Sequence, residues 1–488
     1  MRFNVDLLTR GVLRESACVE CKLSQGGLPA SVWESYSAFA NSDGGVILLG
    51  VMERSDGSLN VKGVENADKI VKDFWNGVNN TQKVSVNILT NQMVRVEAVD
   101  GKSIIVIEVP RAERSMRPVY VGQNPASGTY RRNGDGDFHC TKEQITAMYR
   151  DASLEPMDMR VVERFDSSVF DADSLRHYRN RFLSVHPKHA WNNIDDELFL
   201  RRIGAVGLSS DDMGFHPTVA GLLMFGTEPD ITTEFPMYFL DYQESSTGFM
   251  RWNDRFVSSS GEWSGNIFEF YFKAYRKLTE DFKVPFRTDG LTRIDETPAH
   301  VAVREALLNA VVNADYYGRQ GIVVRKGEES ITIANPGDMR IGLETALEGG
   351  VSDPRNGTIM KMFSLIGIGE RAGTGIPGFM NAWESEFGSI PQYNITQNPD
   401  RTTLTMMLRP SDIVAEQVPK YDMANRKKGK SELIMDFLRH NPDSRTVHIA
   451  EYTGLTTSGV KKHLYELLKK GVIEASGANK NRTYSVKL

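Results

Sequence analysis

Arg304-Glu-Ala-Leu-Leu-Asn-Ala-Val-Val-Asn-Ala-Asp-Tyr316 reads as a helix whose polar residues fall in one stripe. Glu305, Asn309 and Asn313 stand at i, i+4 and i+8, which puts a carboxylate and two amides on one face. Val303, Leu307, Leu308, Ala310, Val311 and Val312 make the rest of the segment apolar enough for a core. Buried amides and carboxylates without partners cost on the order of several kcal/mol, so the stripe is either a solvated face or a site. A magnesium ion with nucleotide phosphates would satisfy both kinds of group. Downstream, Gly367-Ile-Gly-Glu-Arg-Ala-Gly-Thr-Gly-Ile-Pro-Gly378 supplies a glycine-rich loop whose bare amides suit phosphate oxygens. The expected nucleotide contacts are therefore Asn309, Asn313, Gly369, Gly373, Thr374 and Gly375, with ATP or ADP and magnesium as ligand.

The bulk composition bounds what this site belongs to. A chain of 488 residues should hold about three domains. Its 40% hydrophobic and 25% charged residues are ordinary for a globular protein. The net charge of -5 argues against wholesale coating of nucleic acid, so any such contact is local. The N-terminal MRFNVDLLTRG lacks the apolar core of a signal peptide, and no apolar run reaches a membrane span. Three cysteines fit a reducing cytoplasm without a disulfide framework. Cys18-x-x-Cys21 with His139-Cys140 invites a zinc reading. Ala17–Lys22 reads as extended, however, which puts positions 18 and 21 on opposite faces, so small buried hydrophobes are expected.

The fold class expected is a multidomain α+β chain. Residues 1–155 read as one α/β unit, with a helix over 31–41 and strands over 44–51, 102–110 and 128–135. Residues 156–285 form a middle α/β region with helices Ala172–Leu183 and Glu197–Ile203 and a strand Ala220–Phe225. Residues 286–412 carry the polar-striped helix, the strand Ser330–Ala334 and the glycine loop. The sequence does not separate these two regions cleanly.

A polar linker, 413–430, contains Arg426-Lys-Lys-Gly-Lys430 and leads to a tail of different grammar. Helices over 431–439 and 447–452, a turn at Gly454–Thr457 and a third helix over 458–470 precede a hairpin from Val472–Ala475 to Arg482–Val486. That order is a winged helix-turn-helix over 431–488. Leu464, Leu467 and Leu468 form its inward stripe. Lys461, Lys462, Lys469, Lys470, Lys480 and Arg482 are cations that reach phosphates, if the domain binds DNA rather than protein.

Two resemblances sharpen the reading. Glu305-x-x-x-Asn309, the Asn335-Pro-Gly337 turn and Gly373-Thr-Gly375 resemble the divergent GHKL ATPase module of a bacterial family of transcriptional regulators. The resemblance implies an α/β sandwich in which Glu305 polarises the attacking water and Asn309 ligates magnesium. It also brings Asn335, Gly337 and Asp338 to the nucleotide, although Asn335-Pro-Gly-Asp338 stands where the family has Asp-x-Gly-x-Gly. Asn313-Ala-Asp315 likewise replaces the family's His-Arg-Asp, so the resemblance supports ATP binding more than turnover.

Residues 10–150 resemble the Schlafen/Alba-like domain. The motifs are Glu15-Ser-x-x-x-Glu20-x-Lys22, Ser37-Ala-Phe-Ala-Asn41-x-x-Gly44-Gly45, Pro118-Val-Tyr120 and Arg131-x-x-Gly134. In Schlafen nucleases such glutamates form a metal-dependent RNA-cutting site, which lands on Glu15, Glu20 and Glu53, with manganese or magnesium as metal. Glu53 replaces the usual aspartate. Lys22, Arg131 and Arg132 would contact phosphate, although Glu20 and Lys22 at i, i+2 also suit a plain ion pair. Two functions stay open: a nucleotide-gated nucleic-acid-binding regulator, and a metal-dependent endoribonuclease for tRNA or other structured RNA in phage defence. Paired DNA half-sites would suit a homo-oligomer, but no periodic seam demands one.

Overall fold

A computed structural model describes residues 3–9, 13–245, 252–282, 287–289, 292–294, 296–369, 375–408, 434–435, 438, 444–446, 449, 457–469, 472–476 and 483–487. Two compact units are found, Met1–Pro410 and Ser411–Leu488.

The first unit opens with a four-stranded sheet of order β1-β2-β6-β5, formed by β1 Val19–Lys22, β2 Gly45–Leu49, β5 Val94–Val99 and β6 Lys102–Val109. β1 and β2 are parallel, with Glu20 opposite Ile47, and the other pairs are antiparallel. Both faces are covered, which is why β2 is apolar without alternation. Ile47 and Leu49 pack with Trp33, Tyr36 and Phe39 of helix Val32–Ala40 and Phe74 of helix Ala67–Val78. Leu48 faces the other way, onto Leu8, Leu13, Val19 and Val106.

The strand expected over 44–51 is broken in two. Gly50 has φ +89 and lies so close to Gly63 that a Cβ would come within 2.9 Å of its carbonyl carbon. The chain resumes as β3 Val51–Glu53, paired with β4 Leu59–Val61 in a separate ribbon that carries Glu53. β7 Tyr130–Asn133 and β8 Gly136–His139 form a further hairpin, followed by helix Lys142–Ala152.

The middle region contributes helices Ala172–Val185 and Asp196–Ile203 and a short hairpin, β9 Val206–Leu208 with β10 Phe215–Pro217. The expected strand Ala220–Phe225 is instead helix Val219–Phe225, with the Thr218 hydroxyl accepting from Gly221 N–H. Every residue of it is buried, so its apolar run has no period by which to tell helix from strand.

A six-stranded sheet then spans both regions that the sequence left unseparated. Its order is β12-β11-β15-β16-β18-β17, from β11 Leu240–Glu244, β12 Asp254–Val257, β15 Ile322–Lys326, β16 Ser330–Pro336, β17 Gln392–Thr396 and β18 Arg401–Met407. Only the β11–β15 pairing is parallel among these described strands. Between them in sequence lie helix Ile267–Thr279, a small hairpin, β13 Arg287–Asp289 with β14 Thr292–Ile294, and helices Pro298–Asn313, Gly357–Leu365 and Gly375–Phe387. One core joins Phe225, Phe270, Tyr271, Leu307, Val311, Ile331, Phe363 and Trp383.

In the second unit, β19 Ser444–Arg445, β20 Ile473–Ser476 and β21 Thr483–Val486 form an antiparallel sheet of order β19-β21-β20. Helix Thr457–Lys469 packs Leu464 and Leu467 with Ile434, Leu438, Ile449 and Tyr484, as the expected inward stripe requires. No helix among the described residues is long and apolar enough to cross a membrane.

Candidate functional site

Helix Pro298–Asn313 begins with proline at its first turn and sinks Ala302, Val303, Ala306, Leu307, Val311 and Val312 into the core. Its polar stripe stays half-buried and lines a cavity of about 100 Å³ together with Asn335, Arg340, Gly375 and Thr402. Asn309 Nδ2 donates to Glu305 O at 2.9 Å and Asn313 Nδ2 to Asn309 O at 3.0 Å. With the amide nitrogens closed on their own helix, the amide oxygens have the capacity to ligate a cation.

The glycine loop is shorter than its sequence suggests, because Gly375–Gly378 already belong to helix Gly375–Phe387. A Cβ on Gly375 would lie 3.5 Å from Glu305 Oε2 and 3.8 Å from Asn309 Nδ2. The positive end of a 13-residue helix therefore opens beside the stripe. Gly369 sits under Leu308 with φ +73, while Gly373 and Thr374 lie outside the described residues. The donor set fits magnesium and phosphate.

The other expected nucleotide contacts are divided. Asn335 is buried and lines this cavity, with Nδ2 donating to Pro336 O at 3.3 Å. Gly337, at φ +97, lines a second cavity, where a Cβ would meet Arg355 Nη1 at 2.8 Å. Asp338 lines both, but its carboxylate is not left to read a base. Oδ2 accepts from Arg131 Nη2 at 2.9 Å and from Arg111 Nη2 at 3.3 Å. Burial alone would raise this carboxyl, yet Arg111, Arg131 and Arg117 hold it below the usual carboxylate range.

These pairs belong to a seam that sequence reasoning missed. Arg131 Nη1 also donates to Asp400 at 2.9 and 2.8 Å. Arg355 holds Asp151 through Nε at 2.9 Å and Nη2 at 2.8 Å, and Arg114 Nε reaches Asp353 at 2.6 Å. The visible signal was the arginine density of Arg111-Ala-Glu-Arg-Ser-Met-Arg117 in a loop.

This seam corrects two expected phosphate contacts. Arg131 and Arg132 are 5% and 4% exposed, so neither presents its charge to a nucleic-acid backbone. Arg132 donates to Asp137 at 2.8 Å, pairs with Glu20 Oε2 at 2.8 Å and lies over the Phe39 ring.

The three N-terminal glutamates do not assemble as a metal centre: no group of three or more His, Cys, Asp or Glu among the described residues could hold an ion. Glu20 is taken by Arg132 and by Lys22, whose Nζ donates at 3.0 Å, so Lys22 too is engaged. Glu15 Oε1 accepts from Cys21 N–H at 2.8 Å. Glu53 ends β3 in the separate ribbon and is exposed. The three still share a field: burial raises the Glu15 carboxyl, the Cys21 N–H opposes this, and Glu20 and Glu53 add to it. Cys21 and Cys140 offer no ready thiolate. Burial pushes Cys140 up to about 12 and raises Cys21, while Cys18 is exposed rather than buried as expected.

The family described as "Schlafen, AlbA_2" matches residues 15–141. Residues 15–141 thus carry an AlbA_2-type domain. Downstream of the AlbA_2 domain, a family described as "Putative ATP-dependent DNA helicase recG C-terminal" matches residues 320–406, and a domain of unknown function, DUF8451, matches 146–241. The helix bearing Glu305 and Asn309 lies between these two matches. No curated protein matches the chain. Among solved structures, the DIP2311 protein from Corynebacterium diphtheriae is 18% identical, with 96% of this chain and 92% of that one covered at a TM-score of 0.40. The N-terminal domain of a RecG-related protein from Nitrosomonas europaea, titled "Putative ATP-dependent DNA Helicase", is 31% identical. It covers 29% of this chain and 95% of its own, at a TM-score of 0.23.

Within the AlbA_2 domain, Asn41 and Ser37 have structural roles. The Asn41 side chain accepts from Val119 N–H at 2.9 Å and donates to Val119 O at 2.7 Å and Tyr130 O at 3.0 Å. Ser37 Oγ donates to Val119 O and accepts from Tyr130 N–H. This clamp fixes β7, and with it Arg131 and Arg132, against helix Val32–Ala40.

Proposed function

We propose that the chain is a nucleotide-dependent nucleic-acid-binding protein of the regulator type, with ATP or ADP and magnesium bound at the stripe of helix 298–313. The observation that carries this reading is the approach of Gly375, at a helix N-terminus, to Glu305 and Asn309. Asn309 and Asn313 would hold the magnesium, Gly375 would receive phosphate oxygens, and Glu305 would orient water if hydrolysis occurs. The cavity of about 100 Å³ is small beside the ~300–1,000 Å³ of ordinary ligand sites. It suits the phosphate–magnesium end of a nucleotide, and Asp338 does not act as the base reader because its arginine partners occupy it.

The second unit would be the nucleic-acid contact. A three-stranded antiparallel sheet with helix Thr457–Lys469 supports a winged helix, and Lys461 and Lys469 are exposed on that helix. The side chains of Lys462, Lys470, Lys480 and Arg482 lie outside the described residues. A homo-oligomer on paired sites is part of the same proposal. The endoribonuclease is the weaker reading, because Arg132 and Lys22 hold Glu20 in ion pairs.

Calorimetric titration of ADP and magnesium into the full chain tests the reading. Asn309→Ala should weaken binding by about tenfold or more, the effect of removing a ligand to charge. Glu305→Ala should keep binding and remove any hydrolysis. Absence of nucleotide binding by the wild type up to about millimolar concentration would overturn it.

A further inference from the structure

We propose that a second cavity, between the AlbA_2 domain and the ATPase-like module, binds a small phosphate-bearing anion through Arg117. This cavity measures about 370 Å³, within the range of small-molecule sites, and shares only Asp338 and Met339 with the nucleotide cavity. The two cavities are therefore distinct but adjoin through that shared wall.

Arg117 is 7% exposed, yet no ion pair to it is found among the described residues. Its Nη2 donates to Arg340 O at a long 3.3 Å, and its Nε has no partner. The other arginines of the wall each have a carboxylate: Arg131 has Asp338 and Asp400, half-buried Arg355 has Asp151, and Arg319 has Glu143. Buried cations are normally paired, because removing an ion from water without compensation is costly.

No wall carboxylate is left over to supply the pair. Asp315 is held by Arg150 at 2.6 Å and Glu143 by Arg319 at 2.8 Å, in addition to Asp338, Asp400 and Asp151. Buried Arg117 and exposed Lys142 are therefore the two lining cations without a direct ion pair among the described residues. Burial, with Arg111 and Arg131 nearby, pushes Arg117 down to about 10 against the longer-range pull of Asp338 and Asp151, so it stays charged at neutral pH. A guanidinium without a carboxylate partner recognises phosphate oxygens through its N–H donors and charge, and Lys142 would add a point charge at the exposed end.

The probe is pyrophosphate, titrated by calorimetry into the full-length chain with chelator present, which removes the magnesium the nucleotide site is expected to need. Wild type should bind, and Arg117→Gln should weaken binding by about tenfold or more. Ala147 also lines the cavity, on helix Lys142–Ala152, and Ala147→Phe should block binding while leaving every charge in place. If Arg117→Gln fails to fold, the Ala147→Phe result decides alone. No binding by wild type at about 10 mM pyrophosphate, or wild-type affinity in either variant, would overturn the proposal. Binding abolished by Asn309→Ala but untouched by Arg117→Gln would assign the anion to the other cavity and overturn it equally.

Discussion

Arg131 donates through Nη2 to Asp338 at 2.9 Å, and this hydrogen bond ties the AlbA_2 hairpin to the turn that follows β16. The same guanidinium reaches Asp400, so one buried cation spans two carboxylates. Removing one partner of a buried pair costs about 3–5 kcal/mol, because the survivors are left uncompensated. Arg131→Ala should lower unfolding free energy by about that amount in denaturant titration, and Arg131→Lys should recover only part, since an ammonium cannot fork. A loss under about 1 kcal/mol would reduce the pair to the value of a surface ion pair.

Acid should loosen the same seam. Burial would raise the carboxyls of Asp338 and Asp151, but Arg111 and Arg131 for the first, and Arg355 and Arg340 for the second, hold them below the usual value. The unfolded chain then binds more protons than the folded one near pH ~4, so stability rises with pH there. Their contribution is fully present above about pH 5 and is lost as pH falls through the folded values. Asp338→Asn should flatten the acid limb of stability against pH, and an unchanged slope would refute the assignment.

Gly369 and Gly367 separate backbone strain from packing. Both have positive φ, at +73 and +76, but a Cβ on Gly369 would come 2.1 Å from Leu308 Cδ2, whereas on Gly367 it meets Val185 at 3.4 Å. Gly367→Ala should cost about 1–2 kcal/mol from left-handed backbone alone. Gly369→Ala should cost about 1–3 kcal/mol more, from overpacking against helix 298–313, and should weaken nucleotide binding as well. Equal melting temperatures for the two variants would show that Leu308 yields freely.

Glu20→Gln tests the acids of the AlbA_2 domain. It breaks the pairs with Lys22 and Arg132 but leaves Arg132 its bond to Asp137. The expected loss is about 1–3 kcal/mol, the range for a hydrogen-bonded charge, with no dependence on divalent cation. Manganese that stabilises the wild type, and no longer stabilises this variant, would restore the metal-centre reading.

Lys461→Glu with Lys469→Glu should weaken duplex DNA binding. The slope of log affinity against log salt should fall by about one unit for each phosphate that the variant no longer neutralises. Unchanged affinity and slope would move the nucleic-acid interface to another part of the chain.

Some of this architecture could be read from the chain and some could not, for identifiable reasons. Helix 32–40, strand 102–109 and the middle of helix 298–313 were legible because their apolar spacing and flanking breakers agree, although the helix read over 304–316 starts earlier, at Pro298, and stops at Asn313. Residues 219–225 were not, since a segment buried on all sides loses its period, and only the Thr218 cap marked it as helix. Glu305 and Asn309 were legible as a stripe, and the structure brings Gly375 to them. Arg131 and Arg132 read as surface cations because nothing local distinguishes them; the carboxylate that buries Arg131 lies 269 residues away. The broken strand at Gly50 likewise depends on Gly63, an approach made only in three dimensions.

The parallel pairing of β11 with β15, from Leu240 opposite Ile322 to Glu244 opposite Lys326, has a consequence for heredity. A gene fusion that exchanged only the coding sequence after residue 285 would import β15 without its neighbour and leave an open, aggregation-prone edge. The middle region and the ATPase-like module are therefore expected to be inherited as one block, and recombination breakpoints between them should be selected against.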